Sequence, residues 1–407
     1  VISIKRFRRL IREMTGLFVI LNGFRRLFYR IVIGVLRLFV HADKKTILFN
    51  SFYGSSYNDS TRVIYEKMTR DQRFKGYRMY WLIDDFSKMP EVDPRFLVRD
   101  NSVAHVYYLL KAKYWVSNST IELVRQVSVP RAGHVYINTW HGIPLKYLGG
   151  DELEQNFATK WFSQVQFDYL CACNDYDGQI FAHIFPRSAQ QIHQVGLPRN
   201  ESLQQKFTQQ QVTALKQKLG VPLDKKVVLY GPTFRDFEVK HYQYKNASLD
   251  PTGLDTATLT RIKQRYVILN RSHYYVADNR LSKQPAQDST FVYDVTDYPQ
   301  INDLFQIADI LVTDYSSLMF DFAILGKPIL LLQADLQVYI KRRGLYMNPA
   351  GNLLPSFTST SKLYAYLAEL GTADYSTLSK QAKAFAAKYQ PKQITATTEI
   401  IDYIESH

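Results

Sequence analysis

The feature that most constrains this chain is an alternation of short apolar runs with longer amphipathic stretches, and it occurs in two series. From Lys44 onward, "KTILFNSF", "YRMYWLID", "AKYWVSN", "HVYINTW", "FDYLCAC" and "IHQVGL" read as strands. A second series follows with "KKVVLYGPT", "RYVILNRSH", "TFVYDVT", "DILVTDY" and "KPILLLQ". Helical patterns lie between them, for example over 58–70 and 101–111. The runs are continuously apolar and β-branched, which marks strands buried on both faces and therefore parallel sheets flanked by helices. At 407 residues the chain is long enough for two such domains. The polar, Gln-rich stretch "LPRNESLQQKFTQQQVTALKQKLGVPLDKK" separates the two series. One domain is therefore expected over 43–220 and a second over 221–385, with a C-terminal helix over 386–407 that packs back on the first domain. Two doubly wound domains side by side leave a cleft at the carboxyl ends of their strands, where such folds bind ligands.

The two cysteines, Cys171 and Cys173, sit in one apolar run. Neighbours at i and i+2 of a strand are poorly placed for a disulfide, and no other Cys or His pattern completes a zinc site. They read as small core residues in a reducing compartment.

Charge is distributed unevenly. Residues 1–45 carry eleven Lys/Arg against Glu13 and Asp43, so +9 of the net +14 lies there. On a helical projection Arg8, Arg12, Arg26, Arg30 and Arg37 share one sector, with Leu10, Leu17, Phe18, Leu21, Leu27, Ile31, Leu36 and Phe39 roughly opposite. Arginines interrupt every apolar stretch before it is long enough to span a bilayer. No small-residue cleavage site follows, which argues against a signal peptide. Residues 1–42 are therefore expected to lie in the plane of an anionic membrane surface. A nucleic-acid arm would not need so much Leu, Ile and Phe, so nucleic acid is not an expected partner.

Four polar clusters each follow a predicted strand: His141, "GPTFRD" (231–236), "RSH" (271–273) and "TDYSS" (313–317). Parallel sheets gather such ends on one edge. A helix is expected to begin at Ser316, capped by Asp314 or Ser316, with its free N–H groups and the Ser316 and Ser317 hydroxyls available to a phosphate. Arg235 and Arg271 are expected to add positive charge on the same edge, although Arg235 could instead pair with the adjacent Asp236. Thr233 and Asp314 complete the donor-side candidates; Trp140, Gly142 and Lys146 flank His141. With no carboxylate cluster or DxD motif within these four clusters, the set points to metal-free work on a phosphate ester, with histidine as a general base near neutral pH and no cofactor.

"NTWHGIPLK", "GLPRNE", "GPTFRD", "NRSHY" and "VTDYSSLMFDFAILGKPILL" resemble, in that order and over about 44–345, the signatures of the CDP-glycerol glycerophosphotransferases of Gram-positive teichoic acid synthesis. The resemblance implies a GT-B-like fold of two Rossmann-like domains and attachment to the inner membrane face. It implies transfer of glycerol phosphate or ribitol phosphate from CDP-glycerol or CDP-ribitol to a polyprenyl-diphosphate-linked disaccharide, releasing CMP. It also makes His141 and His273 essential: His141, on the acceptor side with Trp140, Gly142 and Lys146, as general base, and His273 beside Arg271 as the phosphate-stabilising partner. Two departures stand out. Ile143 replaces the family's usual Thr, and "PAGNLLPSF" replaces a Pro-Gly-Pro-like turn. Long polymerases of the family usually carry a large extra N-terminal region, so the length of this chain favours a primase. A nucleotide-sugar glycosyltransferase of the same fold is the main alternative, and a non-enzymatic membrane-surface protein the lesser one.

Overall fold

A computed structural model describes residues 15–122, 133–154, 159–233, 235, 249, 251, 253–271, 290–350 and 353–407. Arg8, Arg12, Asp236 and His273 lie outside the described residues. Among the described residues, thirteen strands form two sheets. The first contains β1 (Asp43–Asn50), β2 (Arg78–Ile83), β3 (Leu97–Arg99), β4 (Ala112–Ser117), β5 (Val135–Asn138), β6 (Tyr169–Ala172) and β7 (Ile192–Gln194). Its order is β3-β2-β1-β4-β5-β6-β7. The second contains β8 (Lys226–Gly231), β9 (Tyr266–Asn270), β10 (Val292–Asp294), β11 (Ile310–Thr313), β12 (Ile329–Leu332) and β13 (Ser356–Phe357), in the order β10-β9-β8-β11-β12-β13. All five neighbouring pairs of the second sheet are parallel.

Every strand expected from an apolar run is present, and the two that were not expected, β3 and β13, are edge strands of three and two residues. In each sheet the strand order reverses between a central pair, β1/β4 in the first and β8/β11 in the second. At such a switch point the connections diverge to opposite faces and leave room for a ligand beyond the carboxyl ends.

The sheets change over between Gln194 and Lys226, but compactness divides the chain elsewhere. One unit is Val1–Trp140 with Gln166–Leu170 and Ile400–His407; the other is His141–Val165 with Cys171–Glu399. His141 was expected to travel with the first domain, yet the segment it opens clusters with the second unit.

In the first unit, Ile47, Leu48 and Phe49 of β1 are fully buried, and Phe49 stacks on Trp81 with 5.9 Å between ring centroids. The helix Thr15–Leu36 packs against the helix Val103–Lys111. Among its described side chains Tyr29 and Ile33 are buried, and the Tyr29 hydroxyl donates to the Asn101 carbonyl. Its Leu/Phe stripe is left outside: Phe24, Leu27, Phe28, Ile31 and Val35 are each more than half exposed. No helix of the described residues is long and apolar enough to cross a membrane. The last eight residues belong to this unit, where the Tyr403 hydroxyl donates to Asp168 O and Arg73 pairs with Asp402 and Glu405. The C-terminal helix is shorter than expected, Ala396–Ser406, and a separate helix Thr372–Tyr389 precedes it.

In the second unit, Val228, Tyr230, Ile268, Val312 and Leu330 join Leu363, Leu367 and Leu378 in one buried cluster. Helix Thr372–Tyr389 places Phe385 and Tyr389 against Phe320. This packing fixes the short segment after β11 on which the site depends.

Candidate active site

The turn that carries His141 is strained on both sides. β5 ends at Asn138, and Trp140 takes φ +52°, a left-handed conformation that non-glycine residues rarely adopt. Asn138 holds it there: its Oδ1 accepts from Trp140 N at 2.8 Å while its Nδ2 donates to Ser119 O at 2.6 Å. Gly142, on the other side, has φ +148°. A Cβ at Gly142 would lie 2.9 Å from Ser317 Oγ and 3.5 Å from Arg199 Nη2, so only glycine permits this approach. Backbone strain of this kind persists where the surroundings over-determine it, and it clusters at functional sites.

The next ten residues are fastened within the second unit. Pro144 O accepts from the Tyr176 hydroxyl at 2.9 Å, and Lys146 forms an antiparallel bridge with Leu345. Tyr346 N donates to Leu145 O at 2.9 Å. The Tyr346 hydroxyl accepts from Leu148 N at 3.2 Å and donates to Asp151 at 2.7 Å. Gly344, φ +71°, lies directly against the Tyr147 ring. Ile143, the departure from the family pattern, is fully buried and contributes packing.

Ser317 is reached from β11. The helix after β11 spans only Leu318–Ala323, two residues later than expected, and Ser317 occupies its N-cap position without a side-chain capping bond. Ser316 Oγ accepts from Leu318 N at 3.4 Å, a long contact. Asp314 does not cap the helix. Its Oδ1 accepts from Thr233 N at 2.8 Å and Tyr315 N at 2.6 Å, and Oδ2 lies 2.8 Å from Arg235 Nη1.

That pairing corrects the expectation for Arg235. Its side chain is 6% exposed, and Asp335 takes its Nε and Nη2 at 2.9 and 3.0 Å. Nη1 also donates to Thr233 O at 2.7 Å, and the guanidinium lies against the rings of Tyr315 and Tyr339. Burial opposes its charge, but Asp314 and Asp335 outweigh burial and raise its pKa. Arg235 thus ties the ends of β8 and β11 together and has no planar fork to offer a phosphate. The neighbouring Asp236, which suggested a surface pair, lies outside the described residues; Asp314 and Asp335 are partners brought in by the fold.

Arg271 follows β9. Its Nη1 donates to Val295 O and Tyr298 O, and burial, against the pull of Asp297, lowers its pKa to about 10. It stays cationic at neutral pH, and it forms no ion pair among the described residues.

Three residues of the assembly were missed from sequence. Asp321, 1% exposed, accepts from Arg199 Nη2 and Asn200 Nδ2, both at 2.6 Å. The pair docks "GLPRNE" against the helix that follows Ser317, and Arg199 completes the wall around Gly142. Their signal was present in two quoted motifs, but the pairing spans over a hundred residues of sequence. Thr233 Oγ1, at the end of β8, is buried with no hydrogen-bond partner among the described residues. Among the described residues no three His, Cys, Asp or Glu side chains are grouped to hold a metal.

Two doubly wound parallel sheets, with a strained histidine-bearing turn whose glycine lies against Ser317, place the chain in the two-sheet α/β class. Residues 32–405 match the profile of the family described as CDP-glycerol:poly(glycerophosphate) glycerophosphotransferase. The chain is 34% identical over 349 residues to a teichoic acid poly(glycerol phosphate) polymerase of Bacillus spizizenii, covering 80% of this chain and 84% of that protein. It is also 34% identical to the corresponding polymerase of Bacillus subtilis, of which it spans 41%. The structure superposes on a histidine-to-asparagine variant of the wall teichoic acid polymerase TagF with a TM-score of 0.79 and 28% identity, covering 100% of this chain and 98% of that one. The chain belongs to the CDP-glycerol glycerophosphotransferase family and is an enzyme of glycerophosphate transfer in teichoic acid synthesis.

Proposed function

We propose that the protein transfers glycerol phosphate from CDP-glycerol to a lipid-linked acceptor, with CDP-ribitol as the alternative donor. His141 Nε2 or Nδ1 takes the proton from the acceptor hydroxyl as its oxygen attacks the phosphorus that bears the alditol. The bond from that phosphorus to the bridging oxygen breaks, and CMP leaves with the electron pair. His273 and Arg271 offset charge on the transferring phosphoryl group, and Ser316 and Ser317 supply hydroxyls to the donor phosphates, where positioning and electrostatics provide most of the catalysis. Arg235 and Asp314 serve this site by holding the two strand ends that present it; Trp140, Gly142 and Lys146 position His141.

The observation that carries this reading is the bracket around His141: Trp140 at φ +52°, Gly142 at φ +148°, and no room for a side chain between Gly142 and Ser317. A solved TagF histidine variant soaked with CDPG supports the donor. The length argument for a primase loses its force, since a polymerase relative is covered over 84% of its own length. Incubating the protein with CDP-glycerol or CDP-ribitol and a synthetic lipid-linked disaccharide, then weighing the products, tests the reading. Added masses of one or more alditol phosphates with free CMP are expected; a nucleoside diphosphate product would instead indicate sugar transfer.

We also propose that the helix Thr15–Leu36 rests on the cytoplasmic face of the membrane. Its exposed Phe24, Leu27, Phe28, Ile31 and Val35 lie on the side away from Arg26, Arg30 and Arg37. An apolar stripe of this size in water is a contact surface, and the flanking arginines suit anionic head groups. Changing Phe24 and Phe28 to Ser should weaken flotation with phosphatidylglycerol vesicles several-fold; unchanged flotation counts against it.

A further inference from the structure

The carboxyl edge of the second sheet carries a polar group that the reaction above leaves unused. Gln333 directly follows β12 and is 4% exposed, with its backbone N–H bonded to Phe357 O at 2.8 Å. Its Nε2 donates to Asn348 Oδ1 at 3.2 Å, while its Oε1 is buried with no partner among the described residues. Amide orientations follow from their hydrogen-bond network, and here the network leaves one choice. Ala350 N can only donate, and it lies 3.2 Å from Asn348 Oδ1, so that atom is the carboxamide oxygen. An oxygen there can only accept, so Gln333 must turn its NH2 towards it. What remains is a locked, buried carbonyl oxygen. Leaving such an acceptor unmet is costly, and folded proteins keep few of them.

The lock indicates what the acceptor is for. A hydroxyl rotates to donate or accept as needed, so a fixed amide gains nothing in recognising an alditol. A fixed acceptor discriminates only where ligands present a fixed donor or a fixed acceptor at the same place. In pyrimidine nucleotides these are the 4-amino group of cytosine and the 4-oxo group of uracil. We propose that Gln333, held by Asn348, accepts a hydrogen bond from the cytosine amino group and so selects cytidine over uridine donors. The assignment rests on the CDP-donor reading above. Facing uracil, two acceptors would meet, and the amide could turn only by losing Asn348.

Calorimetric titration of the full chain with CMP and with UMP tests this. The wild type should favour CMP by about tenfold or more, as expected when a site built for a hydrogen bond meets an analogue that cannot make it. Gln333→Leu removes both the bond to cytosine and the clash with uracil, so CMP should lose affinity, UMP should gain some, and the two should become nearly equal. Asn348→Ala frees the amide to turn, so UMP should gain affinity and the ratio should narrow; this variant keeps Gln333 and tests the lock even where Gln333→Leu fails to fold. A Gln333→Leu protein with the wild-type CMP:UMP ratio overturns the proposal, as does one that weakens CDP-glycerol alone. A wild type that binds neither CMP nor CDP-glycerol overturns the donor reading itself, which is a different result.

Discussion

Two turns of this molecule hold motif residues beyond the ends of parallel strands, and they are built in opposite ways. Around Arg235 the charges are paired: two carboxylates, a carbonyl and two tyrosine rings enclose one guanidinium. Around His141 the backbone is strained instead, and a glycine is pressed against Ser317. Both would stand out in sequence as chemistry-bearing. The difference teaches that a charged motif residue whose partners are complete is a fastening, whereas strain held in place by neighbours marks where a group must be aimed.

The comparison breaks most visibly at His141. Removing a general base typically costs about 10²–10⁴-fold, so His141→Ala should lose that much turnover while its CDP-glycerol affinity and melting temperature stay near wild type. Near-normal turnover would end the assignment. A fall in donor affinity would move His141 to the donor's side of the reaction.

Arg235→Ala should do the reverse. Removing one partner from a buried ion pair leaves uncompensated charge on Asp314 and Asp335, a loss of about 3–5 kcal/mol. Denaturant unfolding should show it directly, with any fall in activity explained by the unfolded fraction. A stably folded Arg235→Ala protein that no longer binds CDP-glycerol would return Arg235 to the ligand and erase the distinction drawn above.

Gly142→Ala sits between these extremes. It meets two obstacles, a φ that L-residues rarely adopt and a Cβ 2.9 Å from Ser317 Oγ. Strain of this kind is worth about 1–3 kcal/mol, expected as a loss of turnover with the fold retained. Adding Ser317→Gly should relieve the contact and leave the φ penalty. Because Ser317→Gly also removes a hydroxyl from the donor phosphates, turnover is compared with that of Ser317→Gly alone, towards which recovery should be partial. Full recovery would show that the turn itself carries no strain.

How far the sequence disclosed this follows from which forces are local. β1, β8, β11 and β12 were legible because strands buried on both faces leave continuous apolar runs. β3 and β13 were not, since two or three residues at an edge leave no periodic trace. The clusters at His141, 231–236 and 313–317 were legible as strand ends. Their division of labour was not: Arg235 finds Asp335 a hundred residues away, and Asp321 finds Arg199 from a different motif. Local sequence also placed the helix start at Ser316, where a capping residue stands, but Asp314 is drawn off by Arg235 and the helix begins at Leu318.

The smallest effect sharpens the comparison furthest, because it asks whether fastening and aiming are separable within one residue. Tyr346 touches the His141 segment twice, through its backbone N–H to Leu145 and through its hydroxyl to Leu148 and Asp151. Tyr346→Phe removes only the hydroxyl. A neutral hydrogen bond contributes about 0.5–1.5 kcal/mol net, and Leu148 N is near enough to solvent to find water. Stability should therefore fall by about 1 kcal/mol. If the hydroxyl also steadies the segment that leads from His141, turnover should drop several-fold at unchanged CDP-glycerol affinity. Gly344→Ala, which drives a methyl into the Tyr147 ring, should lose more of the same property. Equal stability loss with turnover untouched in both variants would confine this clasp to fastening, and would leave Asn138 and Ser317 as the residues that aim the histidine.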